Sequence, residues 1–87
     1  MPTQIFRTKP TLVEAKQVTP ERIVAVSVWL DVFGVRNTIR IQEVVLVITT
    51  PDGAWVARDG DWVVQDEHKK FFVMMPDEFE EMFEPVV

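Results

Sequence analysis

The chain has no cysteine. Disulfides, thiolate metal sites and cysteine nucleophiles are therefore excluded together, and the composition suits a reducing, cytoplasmic compartment. It has one histidine, His68, and one serine, Ser27. A single imidazole supplies too few nitrogen ligands for a dedicated metal site and only one base for a nucleophile to lean on. There are three glycines, Gly34, Gly53 and Gly60, and no two lie close enough to form a phosphate-cradling loop. No apolar run approaches the roughly 20 residues that span a bilayer. The longest are "IVAVSVWL" and "VVLVI". The opening "MPTQIFRTKP" has neither an apolar core nor a small-residue cleavage site, so no signal peptide is expected. We expect no cofactor, no metal, no membrane association and, from the acidic balance, no nucleic-acid partner.

What is present is a small globular composition. The 87 residues are 47% hydrophobic and 26% charged, with a net charge of −5. This is enough for one domain, 1–87, and for burial of about 60–65% of the unfolded surface. The charge is segregated. Through Arg58 there are seven basic and five acidic residues, and from Asp59 onward two basic and nine acidic. Such an end serves either as a solubilising surface or as a face for a basic partner.

The pattern predicts an α+β fold. Residues 1–4 are expected to fray. "IFR" and "TLVEAKQV" read as strand, the latter alternating Val13 and Ala15 against Glu14 and Lys16. Thr19, Pro20 and Glu21 form a helix start, and Gly34 is a helix stop. A helix over about 19–33 follows, although "RIVAVSV" has the β-branched content of a strand. From Ile39 the chain turns to strand. The five apolar residues Val44 to Ile48 suggest a central strand covered on both faces. Turns at "TPDGA", "DGD" and "DEHK" separate "WVAR", "WVVQ" and "FFVMM", which predicts an antiparallel meander. "PDEFEEMF" then predicts a short helix over about 77–83, with Phe79, Met82 and Phe83 on its inner face. The tail "PVV" can add a strand. The total is an antiparallel sheet of five to six strands with two helices.

No pattern points to catalysis. Asp59 with Asp61, and Asp66 with Glu67, sit in turns, where these residue types are expected for backbone reasons. Trp29 and Trp62 read as core. Trp55, on a strand ending in Arg58, reads as a sheet-edge residue. The C-terminal helix carries Asp77, Glu78, Glu80, Glu81 and Glu84 and no base. Acids in its first turn complement the helix dipole, whereas Glu81 and Glu84 oppose it. Glu78, Glu81, Glu84 and Trp55 are the candidate partner-binding face.

"GDWVV", the later phenylalanine and "PDEFEEMFEPV" resemble the C-terminal signature of a group of small phage and prophage proteins, in which a "GDWI" or "GDYI" strand leads to "KPD-x-F" and "YEPV" or "FEPV". "KPTLVEAKQV" is similar to their opening "KP-V-VEA-QW". The resemblance covers both ends and is loose in the middle. The chain departs from it at "QDEHKK", where the group has a glycine-containing turn. It departs also at Met75, where lysine is common, and at Val18, where tryptophan is common. The resemblance implies a phage-encoded accessory protein and brings no catalytic residues. The expected function is non-enzymatic binding to a host or phage protein. The alternatives are a structural virion or assembly component, or a small enzyme. A homodimer through exposed strand edges, "IFR" or "PVV", is a candidate assembly.

Overall fold

The computed structural model describes residues 12–86. The expectations for "IFR", for Lys9-Pro10 and for fraying at residues 1–4 lie outside these residues. Six strands and two helices run in the order β1 (Glu14–Gln17), α1 (Ile23–Val32), β2 (Arg36–Arg40), β3 (Val45–Thr50), β4 (Gly53–Arg58), β5 (Trp62–Gln65), β6 (Phe71–Met74), α2 (Pro76–Met82). The class is α+β, as the sequence predicts. The strands do not form one meander, however. They form two three-stranded antiparallel sheets: sheet A in the order β1-β5-β6, and sheet B in the order β2-β3-β4.

The division occurs at Gly60. Arg58 O accepts from Asp61 N at 2.9 Å, and Asp61 Oδ2 accepts from Arg58 N at 2.9 Å, closing a turn after β4. Gly60 takes φ +96° there, a conformation that side chains disfavour. The chain leaves this turn toward β1, not back along β4. Gly60 N donates to Val18 O at 2.7 Å, and Val18 N donates to Asp61 O at 2.8 Å. Gln17 Nε2 adds a bond to Gly60 O at 3.0 Å. β5 thus pairs with a strand more than 40 residues earlier, Ala15 opposite Val64.

α1 starts later than predicted. Thr19 still organises the start: its Oγ1 accepts from Arg22 N at 3.1 Å and its carbonyl from Ile23 N at 2.9 Å. The helix ends at Gly34, φ +74°, whose N–H donates to Asp31 O. Ile23, Val26 and Leu30 are spaced along one face and fully buried. They meet Leu46, Ile48 and Ala57 of sheet B and Val63 of sheet A in a single core. Ser27, the polar residue within the apolar part of α1, is bonded through its hydroxyl to Asn37 Oδ1. Asn37 Nδ2 donates to Asp31 Oδ1 at 2.8 Å and to Val35 O at 3.0 Å, tying the end of α1 to β2.

Three local expectations are corrected. Val44 is not in β3; it ends a 3-10 turn over Ile41–Glu43 with φ +51°, a left-handed conformation that a β-branched residue rarely takes. β3 is not covered on both faces. Leu46 and Ile48 are buried, while Val45 and Val47 alternate with them on a half-buried outer face. The tail residues Pro85 and Val86 form no strand.

Turn chemistry generates two predictions. In the β5–β6 hairpin Lys69 takes φ +64°. A left-handed residue with a Cβ costs about 1–2 kcal/mol, partly offset by the extra unfolded-state freedom of glycine. Lys69→Gly is expected to raise stability by about 0.5–1 kcal/mol, read as a higher denaturant midpoint with an unchanged slope.

In the same turn Asp66 Oδ1 accepts from Lys70 N at 2.9 Å and from His68 N at 2.8 Å. The Lys70 N–H is the leading reason that the carboxyl sits below its ordinary value of 3.8, with slight desolvation opposing it and the His68 N–H adding to it. The folded state thus favours the ionised form. Its contribution is fully present above the unfolded value and is lost as pH falls through the depressed folded value. Asp66→Asn is expected to flatten part of the acid limb of a stability–pH curve below about pH 4; an identical acid limb in the variant would disprove the linkage.

Candidate functional site: an aromatic groove beside an acidic helix

Sheet A has two faces of different character. Val63, Phe71 and Val73 face the core shared with α1. The opposite face carries Ala15, Trp62, Val64, Phe72 and Met74 by strand alternation. α2 lies over this second face. Pro76 occupies its first turn and comes close to Gly60, where an added Cβ would stand 3.5 Å from Pro76 Cγ. Asp77 and Glu78 in the first turn favour the positive end of the helix dipole. Phe79 stacks on Trp62 with ring centroids 4.1 Å apart and planes 10° apart. Phe83 follows one turn later, 5.3 Å from Phe79.

A helix of seven residues is too short to cover the whole face. Between it and β1 runs a groove of about 310 Å³, walled by Val13, Ala15, Trp62, Phe79 and Phe83 and closed at one end by Glu84, Pro85 and Val86. Its surface is mostly aromatic and aliphatic. Trp62 Nε1 is sealed from solvent and has no hydrogen-bond partner among the described residues. A buried N–H without an acceptor costs about 1–3 kcal/mol relative to a satisfied one. The groove therefore combines an apolar wall with an acidic residue, Glu84, in its lining.

The acidic helix has the solvent-facing side that the sequence predicts: Glu78, Glu81 and Glu84 are exposed. Met82 is a correction. It was expected on the inner face but is 68% exposed; only Phe79 and Phe83, an i, i+4 pair, turn inward. Trp55 is 45% exposed. It sits on β4, an outer strand of sheet B, opposite Ile48. Trp55 and the glutamates lie on different sheets, and no hydrogen bond, ion pair or ring contact joins them among the described residues. Trp29 and Trp62, expected in the core, are both half-buried. Trp29 packs edge-on against Phe71 at 5.0 Å, with Lys16 Nζ over its ring at 5.3 Å.

The sequence reading missed the groove itself. Val13, Ala15, Trp62, Phe79 and Phe83 all read as core material, and their shared cleft depends on the β1–β5 pairing. A second, more polar concavity of about 410 Å³ lies at the hairpin end of β5, bordered by Glu14, Gln65, Asp66 and Lys69. Gln65 is buried there, with Nε2 unpaired. Among the described residues no three His, Asp or Glu side chains converge as a metal site, and no helix is long and apolar enough to cross a membrane.

Comparison with known proteins finds no matching family model, no similar curated protein and no similar solved structure.

The stack of Trp62 on Phe79 anchors α2 to sheet A. Offset or parallel aromatic pairs contribute about 0.5–1.5 kcal/mol beyond area burial. A double-mutant cycle with Trp62→Ala and Phe79→Ala is expected to give a coupling in that range. Additive effects of the two substitutions would show that α2 is held by other contacts.

Proposed function

We propose that the protein is a small, non-enzymatic binding module, a phage-encoded accessory protein that grips a segment of a host or phage protein in the groove between β1 and α2. The observation that carries this reading is the mostly apolar groove of about 310 Å³ between β1 and α2, with the exposed Glu84 among its lining residues. The phage attribution rests on the resemblance of "GDWVV" and "PDEFEEMFEPV", and those two stretches supply the groove's wall opposite Leu12, Val13 and Ala15.

The geometry defines the chemistry of the segment. An apolar side chain fills the cleft against Trp62 and Phe83. Basic residues flank it, because Glu78 and Glu81 on α2 and Glu84 just beyond it stand exposed with no base among them. Most of the affinity comes from the desolvated anchor, and the acidic face mainly accelerates encounter.

The test uses capture from host lysate to identify the partner, then association kinetics across a salt series. Glu81→Lys with Glu84→Lys is expected to leave the fold intact. It should slow association at low salt by about tenfold or more and flatten the salt dependence. Trp62→Phe, which keeps a ring but shrinks the aromatic wall of the groove, is expected to raise the dissociation rate instead. Unchanged association rate and salt slope in the double variant would reduce the acidic face to a solubilising surface. Unchanged dissociation in Trp62→Phe would remove the groove.

A further inference from the structure

The described chain enters the fold beside the groove. Leu12, its first residue, is 74% exposed and lines the groove together with Pro85 and Val86. Residues 1–11, "MPTQIFRTKPT", lie outside the described residues and join the fold at Leu12. They are therefore tethered to the groove's own wall.

Their chemistry is the chemistry that the groove selects. Ile5 and Phe6 are adjacent large apolar residues, and Phe6 is the only aromatic residue before Trp29. Arg7 and Lys9 follow, and no acidic residue occurs before Glu14. The groove offers the rings of Trp62, Phe79 and Phe83. Beside them Glu78, Glu81 and Glu84 stand exposed. An apolar anchor next to two bases thus matches an apolar wall next to three acids. The tether is also long enough. Phe6 precedes Leu12 by six residues, a reach of up to about 20 Å in an extended chain. The seven residues of α2 span only about 10 Å.

We propose that the groove is covered by the chain's own N-terminal segment, with Phe6 against Trp62 and Phe83, and Arg7 and Lys9 facing Glu81 and Glu84. The inference rests on the reading of the groove as a binding site and adds its regulation. An external segment binds only when it displaces this cover. Tethering favours the chain's own segment over any other occupant of the same chemistry, because a short linker holds it at an effective concentration of about 1 mM. With an intrinsic dissociation constant of about 0.1 mM, such a segment fills the groove roughly nine-tenths of the time and weakens a competitor about tenfold. Part of the hold is electrostatic, so the cover loosens as salt rises.

The test uses the full chain throughout. Nuclear Overhauser contacts are expected from the Phe6 ring to the Ala15 methyl group and to the Phe83 ring. A synthetic peptide of residues 3–11 then serves as the probe. It should bind the Phe6→Ala chain about tenfold more tightly than the parent, whose own segment competes. Arg7→Glu with Lys9→Glu keeps Phe6 and should also open the groove to the peptide, which guards against a Phe6→Ala chain that fails to fold. Equal uptake of the peptide by the parent and both variants overturns the cover and leaves the groove standing as a binding site. Peptide binding to none of them overturns it too, as does the absence of the Phe6 contacts. Partner capture that depends on Trp62 would in those cases still support the groove reading. A mass above 10.1 kDa that rises with concentration and falls in Phe6→Ala would place the segment in the groove of a second copy, and so overturns cover within one chain.

Discussion

Ile23, Val26 and Leu30 are the one set of side chains that both sheets share. They touch Leu46, Ile48 and Ala57 on one side and Val63 on the other. Two sheets have four faces, and a ten-residue helix can seal only the two that converge on it. Each fully buried aliphatic contributes about 1.5–3 kcal/mol by removal from water, so the eight-residue core is the main source of stability in a chain this short. Everything outside that convergence is covered in part or not at all. The outer face of sheet A has a seven-residue helix over it. The outer face of sheet B, with Val45, Val47 and Val56 between Arg36, Arg40 and Arg58, has no element over it among the described residues.

This geometry gives the charge segregation a spatial meaning. Three of the seven basic residues through Arg58 line the outer face of sheet B, because Arg36, Arg40 and Arg58 share strand parity through the register Arg40–Val45–Arg58 and Arg36–Thr49. The acids after Gly60 gather on α2 and the hairpin turn of sheet A. The linear asymmetry of the sequence thus becomes an asymmetry between two sheets. The groove lies beside the acidic C-terminal helix.

What the sequence made legible were the features that depend on neighbours within a few residues. Thr19 and Gly34 delimit α1, Pro76 and the acids open α2, and Asp66 and Gly53 turn the two hairpins, all from short-range hydrogen-bond chemistry. Two kinds of feature were not legible. The split into two sheets depends on β5 choosing β1 over β4. That choice is fixed by hydrogen bonds from Val18 to Gly60 and Asp61, partners more than 40 residues apart, which no local periodicity encodes. Side-chain placement at element ends was the other. Met82 has the spacing of an inner residue, but α2 stops at Met82 itself, so the last turn leaves it over solvent. Val44 continues an apolar run, yet the chain needs a left-handed residue there to enter β3. Of the candidate binding residues, the exposure of Glu78, Glu81, Glu84 and Trp55 was legible, while the separation of Trp55 from the other three was not.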